Sequence, residues 1–171
     1  MHLAVRLPIN GVDDGGGLVL ASGNLWSEIV EADINKLIGQ CPNYQGIQPK
    51  LYCSNPFFWQ VLNKINNAKG GVSKMEFQGV QKLACMGYPV EIVNVMRKTD
   101  GNSTVPLLFG DLRLSSTHGR RQQITVEQSN DVKFLERQVA VLGTQRHAVT
   151  NHSLGDATNA GPIVGLITAA S

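Results

Sequence analysis

Cysteine is scarce: Cys41, Cys53 and Cys85 are odd in number and widely spaced, with no CxxC pair. A disulfide framework or zinc ribbon is therefore not expected; the pattern suits a reducing compartment and thiols that serve as small buried hydrophobes. An excess of one charge is missing as well. Fifteen Lys plus Arg against thirteen Asp plus Glu leave +2, too little for a protein whose main task is gripping nucleic acid by counterion release. No stretch approaches about 18 consecutive apolar residues, and the first residues lack the apolar core of a signal peptide. Membrane spanning and secretion are thus disfavoured, and a cytoplasmic product is expected. There is no GxGxxG after a strand and no Walker loop. The triple glycine Gly15 to Gly17 lacks the Lys-Ser/Thr that would hold phosphate, so nucleotide binding is set aside. The absence of an internal repeat argues against solenoids and propellers.

What is present is enough for a real core. The 171 residues are 42% hydrophobic, which fits one compact domain or two small lobes. At this length roughly 70% of the unfolded chain's surface can leave water without help from disulfides or metals. Charge is uneven: residues 1–49 carry two basic and five acidic groups, while 50–171 carry thirteen and eight. That asymmetry suits copies packing head to tail. Residues 12–17 (VDDGGG) read as a hinge. Asn24 is placed as the N-cap of a helix from Trp26 to Ile38, with Gly39 as its stop. Lys50 to Ser54 reads as a strand, and Asn55-Pro56 opens a second helix with Phe57, Phe58, Val61, Leu62 and Ile65 on its apolar face. Asn66 to Lys74 reads as a mobile loop. Strands are expected at Pro89 to Val95, Leu107 to Phe109, Ile124 to Glu127 and Ile163 to Ala169. Val132 to Val149 fits either a helix or a long strand. The class is α+β.

Candidate chemistry is thin. Asp111, Ser115, Ser116 and His118 hold the residue types of a hydrolase, but no GxSxG elbow accompanies them. His147 and His152 lack an HExxH context or an adjacent carboxylate, so no metal site is expected. Arg120 and Arg121, with Arg113, Arg137 and Arg146, form the notable basic cluster. A solvated strand face and ion pairs to an adjacent subunit both explain it, and no aromatics interleave to stack bases.

The order of features from Gly23 onward resembles the major capsid proteins of tailed phages with the Hong Kong 97-like fold. The residues that carry the likeness are the helix LWSEIVEADINKL, the strand and Asn-Pro helix of KLYCSNPFFWQVLNKI, MGYPVEIV, LLFGDL, a polar alternating strand, VKFLERQVAVLGTQRHAV and the closing IVGLITA. The tight turn before a strand accounts for Gly87 and Pro89, and Gly110 permits a bend or a close backbone approach. The resemblance implies an axial domain over 18–126, which surrounds the centre of each capsomer, and part of the peripheral domain over 127–171, with 1–17 adding to it. It also resolves Val132 to Val149 as a long strand, expected to pair with Ile163 to Ala169 and to leave Arg137 and Arg146 exposed.

On that resemblance the chain is a structural subunit, or the C-terminal portion of one, of an icosahedral phage or prophage shell enclosing DNA. The family's N-terminal arm, extended loop and spine helix have no counterpart here. The partners implied are further copies, in pentamers and hexamers, together with a scaffold and a maturation protease. No membrane, cofactor, metal or sequence-specific nucleic acid is implied, and no enzymatic activity. The location implied is the virion, with the host cytoplasm before assembly. Arg120, Arg121, Arg137 and Arg146 are the candidate subunit interface. Arg137 and Thr144 stand where some relatives place a crosslinking asparagine and its assisting glutamate, so covalent crosslinking is not implied. The alternatives are an encapsulin-type nanocompartment shell and, from another class, a small hydrolase using Ser116 and His118. Trp26, Leu37, Phe58, Leu62, Val93 and Leu108 are the expected core.

Overall fold

The structure, a computed structural model, describes residues 17–43, 45–68, 70, 74–77, 79–129, 136, 138–151 and 159–170. Residues 12–16 of the hinge expected over 12–17, and nearly all of the segment 1–17 expected to add to the peripheral domain, lie outside the described residues, as do Arg137, His152, and Val132 and Leu135 at the start of the ambiguous segment. The chain divides into two compact units, Met1–Ser115 with Ser153–Ser171, and Ser116–His152. The boundary expected between 126 and 127 falls inside a continuous strand.

The first unit is built on a mixed sheet of seven strands in the order β1-β9-β6-β2-β5-β4-β3. These are β1 (Leu18–Leu20), β2 (Lys50–Cys53), β3 (Lys74–Phe77), β4 (Val80–Cys85), β5 (Tyr88–Ile92), β6 (Leu107–Gly110) and β9 (Ile163–Ile167). The central strands read KLYC, LLFG and IVGLI, nearly continuous apolar runs that suit strands covered on both faces. β2 pairs parallel with β5 and antiparallel with β6, while β9 runs antiparallel to β6 and parallel to β1. Leu51, Cys53, Leu107, Val164 and Leu166 are fully buried.

The closing strand therefore joins this sheet, and the expectation that it pairs with Val132 to Val149 is overturned. An uninterrupted apolar strand recovers most by entering the core, whereas a polar alternating one cannot. Of the expected core, Trp26, Leu37, Phe58 and Leu62 are buried, but Val93 and Leu108 are only half-buried. Leu108 occupies the one partly open position of β6, and Val93 stands just beyond β5, which ends at Ile92 instead of Val95.

The first helix is not continuous. A single 3-10 turn, Trp26–Glu28, is separated by extended Ile29 and Val30 from α1 (Glu31–Gln40). Asn24 is not its side-chain cap; carboxylates reaching backwards do that work. Glu28 Oε2 accepts from the backbone N–H groups of Asn24 and Leu25 at 3.0 and 3.2 Å. Asp33 Oδ2 accepts from Val30 at 3.1 Å, with the Ser22 hydroxyl on its other oxygen at 2.7 Å. Both sit three residues into their turns, where an acid meets orphan N–H groups. α1 runs through Gly39 and stops at extended Cys41.

The second helical run starts as expected, with Pro56 in the first turn of α2 (Asn55–Phe57). It continues through a π-helical stretch, Phe58–Leu62, into α3 (Asn63–Ala68). The wider turn places Phe58, Val61 and Leu62 in the core while Trp59 stays 53% exposed. The loop expected from Asn66 begins later, because Asn66 is buried and its amide donates to the Ala84 carbonyl at 2.9 Å. Lys74 already belongs to β3. Strands β4 and β5 join through Met86 and Gly87, both with positive φ, which is the tight turn expected before Pro89.

Two glycines in this unit predict opposite outcomes. At Gly110, φ is +139° and an added Cβ would collide with the Pro162 carbonyl and Ile163 backbone. Gly110→Ala should cost about 2–4 kcal/mol in urea unfolding. Gly39 lies in α1 with nothing within 4 Å of an added Cβ, so Gly39→Ala should gain about 0.5–1 kcal/mol. A neutral Gly110→Ala would contradict this account of the β6–β9 crossing.

Candidate functional site

The bend at Gly110 is followed by the most heavily bonded carboxylate of the described residues. Asp111 is 3% exposed, and its backbone N–H donates to the Pro162 carbonyl at 2.9 Å. Oδ2 accepts from the Gln48 backbone N–H at 3.0 Å and from Arg113 Nη2 at 2.9 Å. Oδ1 accepts from the Arg113 backbone N–H at 3.0 Å and its Nε at 3.2 Å. The Arg113 hydrogen bond, with further help from the Gln48 and Arg113 backbone N–H groups, outweighs burial and holds the carboxyl down at about 2. Its neighbours form a single turn, α4 (Leu112–Ser115), in which the Ser115 hydroxyl donates to the Leu112 carbonyl at 3.3 Å. Asp111 thus ties the 40s loop, the end of β6 and the start of β9 together where the chain leaves the seven-stranded sheet.

This geometry is a structural latch. A hydrolase needs its aspartate to orient the histidine, yet Asp111 already serves Arg113 and Gln48. His118 lies instead on the second unit beside His147, with ring centroids 5.8 Å apart. Among the described residues no cluster of three or more His, Cys, Asp or Glu could hold a metal ion. The free thiols of Cys53 and Cys85 are buried, which pushes them up to about 12 and about 11. Cys41 is half-buried and shifted in the same direction.

The second unit is a two-stranded antiparallel sheet of β7 (Ser116–Ser129) and β8 (Ala140–Asn151). The ambiguous segment is thus extended from Ala140, and its partner is β7. The register runs from Ser116 opposite Asn151 to Ser129 opposite Ala140, with irregularities between Arg120 and Gln122 and between Gln122 and Thr125. Each places an extra residue on β7, which makes it 14 residues against 12 in β8 and raises the local twist. Arg120 sits opposite His147 and Gln122 opposite Arg146. Arg120, Arg121 and Arg146 are all exposed.

Alternation along β8 assigns the two faces. Val141, Gly143, Gln145, His147 and Val149 share one face with the partners His118, Arg120, Val126 and Gln128. Arg146 lies on the other face, with Leu142, Thr144 and Glu127. The large apolar side chains remain in water: Ile124, Val126, Val141 and Leu142 are 67%, 65%, 67% and 58% exposed. The sequence reading singled out the arginines and missed this apolar set. Its signal was present as β-branched residues at period two in ITVE and VAV.

The model of the phage capsid family matches residues 14–151. Among solved structures, the capsid of an empty GTA particle is similar with a TM-score of 0.61 and 17% identity, covering 90% of this chain and 48% of its own. The holo-SrpI encapsulin complex from Synechococcus elongatus PCC 7942 has a TM-score of 0.57 and 12% identity, covering 92% and 54%. A structure from Mycobacterium phage Adephagia has a TM-score of 0.50 and 18% identity, covering 99% and 59%. At these identities the likeness shows the fold, and the chain spans about half the length of the structures it matches. No curated protein matches.

The latch predicts a defined pH window. Asp111 is lowered from an ordinary 3.8 to about 2, so the stability it contributes is present above pH 4 and is lost as pH falls towards 2. Asp111→Asn should cost about 2–3 kcal/mol at neutral pH, and the difference from wild type should shrink between pH 4 and 2 in urea titrations. A difference that is constant over that range would contradict the assignment.

Proposed function

The chain belongs to the phage capsid family, and on that premise we propose that it is a structural shell subunit, or the C-terminal portion of one, which works by self-association around packaged DNA. Its fold is the α+β Hong Kong 97-like fold. The observation that carries the reading is the family match over 14–151, joined to a second unit whose large apolar side chains Ile124, Val126, Val141 and Leu142 are more than half exposed among the described residues. A side chain such as Val141, left in water on a two-stranded sheet, calls for burial by something outside the chain.

In this reading the seven-stranded unit is the axial lobe around the capsomer centre, and Ser116–His152 supplies peripheral strands. The lobe boundary then follows the compact units, and the closing strand belongs to the axial lobe. Arg120, Arg121, Arg137 and Arg146 are the proposed contacts to neighbouring subunits. A scaffold and a maturation protease are proposed partners during assembly in the host cytoplasm, with the virion as destination. The role is structural, and no cofactor or catalysis is proposed; the engagement of Asp111 by Arg113 and Gln48 supports this. An encapsulin-type nanocompartment shell is the second reading, favoured by the likeness to the SrpI encapsulin.

Electron microscopy of the complete subunit should show closed shells of uniform diameter, and a full-length subunit that stays monomeric under all assembly conditions would overturn the proposal. Interfaces below about 1,000 Å² seldom hold stable assemblies. The 171-residue chain by itself should therefore run as a monomer or weak oligomer at micromolar concentration in size-exclusion chromatography with light scattering. In shells, Arg146→Glu should weaken assembly more at low salt than at high salt, because screening shrinks the energy of exposed pairs. A deficit independent of salt would remove Arg146 from the interface.

A further inference from the structure

In the sequence His147 stands near His152, but the fold brings it to a different histidine. In the register of β7 and β8 His118 is opposite Val149 and Arg120 is opposite His147, so the two imidazoles are diagonal neighbours on one face of the hairpin. Both residues are exposed, and their ring centroids lie 5.8 Å apart with 52° between the planes. That tilt is neither parallel stacking nor an edge-to-face contact. The separation suits two ligands of one ion. With a metal–nitrogen bond of about 2.1 Å and a ring nitrogen about 1.2 Å from its centroid, two imidazoles on one zinc hold their centroids about 5.3 Å apart at the tetrahedral angle and about 5.8 Å apart at about 125°.

The surroundings select the class of ion. Residues 116–126 and 138–151 contain no carboxylate, and Glu127, the acid of β7, stands opposite Leu142 on the other face. The charged oxygens that calcium and magnesium require are therefore not supplied by this end of the hairpin. Imidazole nitrogen suits zinc, copper and nickel instead. The thiols of Cys53 and Cys85 are buried and pushed up to about 12 and about 11, so they do not compete as ligands. Exposure of both rings lets a hydrated ion reach them and keep water on its remaining positions. Arg120, directly opposite His147, opposes a cation there and limits the affinity.

We propose that His118 and His147 form a two-imidazole site for a borderline divalent ion of the zinc class, which clips β7 to β8. The pair lies near the Ser116–Asn151 end of the ladder, whereas the chain itself joins the two strands beyond the Ser129–Ala140 end. A link at the open end closes the chain from 118 to 147 into a loop, and clips that close long loops restrict the unpaired chain most. The ion thus acts on the end of the hairpin that its own turn holds least. Its role is structural, and binding of the ion is coupled to pairing of the strands.

The test adds zinc chloride to the 171-residue chain at about pH 7.5, where imidazole is free to bind, with His2→Gln and His152→Gln removing its other two imidazoles. At free zinc about ten times the dissociation constant, amides around His118 and His147 should exchange about tenfold more slowly, because the ion binds only the paired strands. His118→Gln and His147→Gln should each lower the zinc affinity at least about tenfold, since one ligand is lost from a chelate. Arg120→Gln should raise it about twofold or more. Calcium or magnesium at the same concentration should leave exchange unchanged. Electron paramagnetic resonance of the copper(II) complex should show two imidazole nitrogens in the parent and one in either single-histidine variant. Zinc binding indifferent to both histidine substitutions, an equal response to calcium, or a single imidazole nitrogen in the parent would overturn the site. No response to zinc up to about 1 mM, where even a millimolar site is half filled, would overturn it as well.

Discussion

A two-stranded sheet has no inside. That constraint governs β7 and β8, because each residue of these strands shows one of two faces and neither face has a second layer among the described residues of that unit. Isolated hairpins of this kind are marginal in water at best. The seven-stranded unit is the opposite case. Its central strands are apolar along their length, and Phe57, Phe58, Leu37 and Ile34 fully bury themselves against them. One part of the chain can therefore meet the entropy of folding with its own surface, and the other needs surface from elsewhere. In the proposed shell reading, self-association is that source.

The passage from one regime to the other is concentrated in two residues. Gly110 takes a φ that side chains rarely adopt, and its lack of a Cβ lets β6 cross the Pro162–Ile163 backbone. Asp111 then gathers three backbone and two side-chain contacts from the 40s loop, the start of β9 and Arg113. Arg113 is itself largely in solvent, so the pair is half exposed, and its value lies as much in position as in energy. A carboxylate that binds four N–H groups fixes the turn at the end of β6.

Much of the sheet was legible from residues. LLFG and IVGLI are apolar at every position but glycine, which marks strands buried on both faces, and Asn55-Pro56 marks a helix start by a rule that depends only on a missing N–H. The break at Ile29 and Val30 was not legible, because helical spacing continues across it and the capping carboxylates Glu28 and Asp33 resemble ordinary surface acids. Strand pairing was read wrongly for the closing strand, since alternation reports which face a side chain takes and nothing about which strand lies beside it. In the candidate site, the arginines were visible as a cluster. Their division between two faces was not, because the extra residues near Arg121 and between Gln122 and Thr125 break the count of two.

The account divides the chain into a self-sufficient sheet and a hairpin that depends on neighbours, and amide hydrogen exchange measures that division directly. In the isolated chain, amides of β2, β6 and β9 should exchange only through global unfolding, while those of β7 and β8 exchange orders of magnitude faster; in assembled shells both sets should be protected. Equal protection of the hairpin and the central strands in the monomeric chain would contradict it.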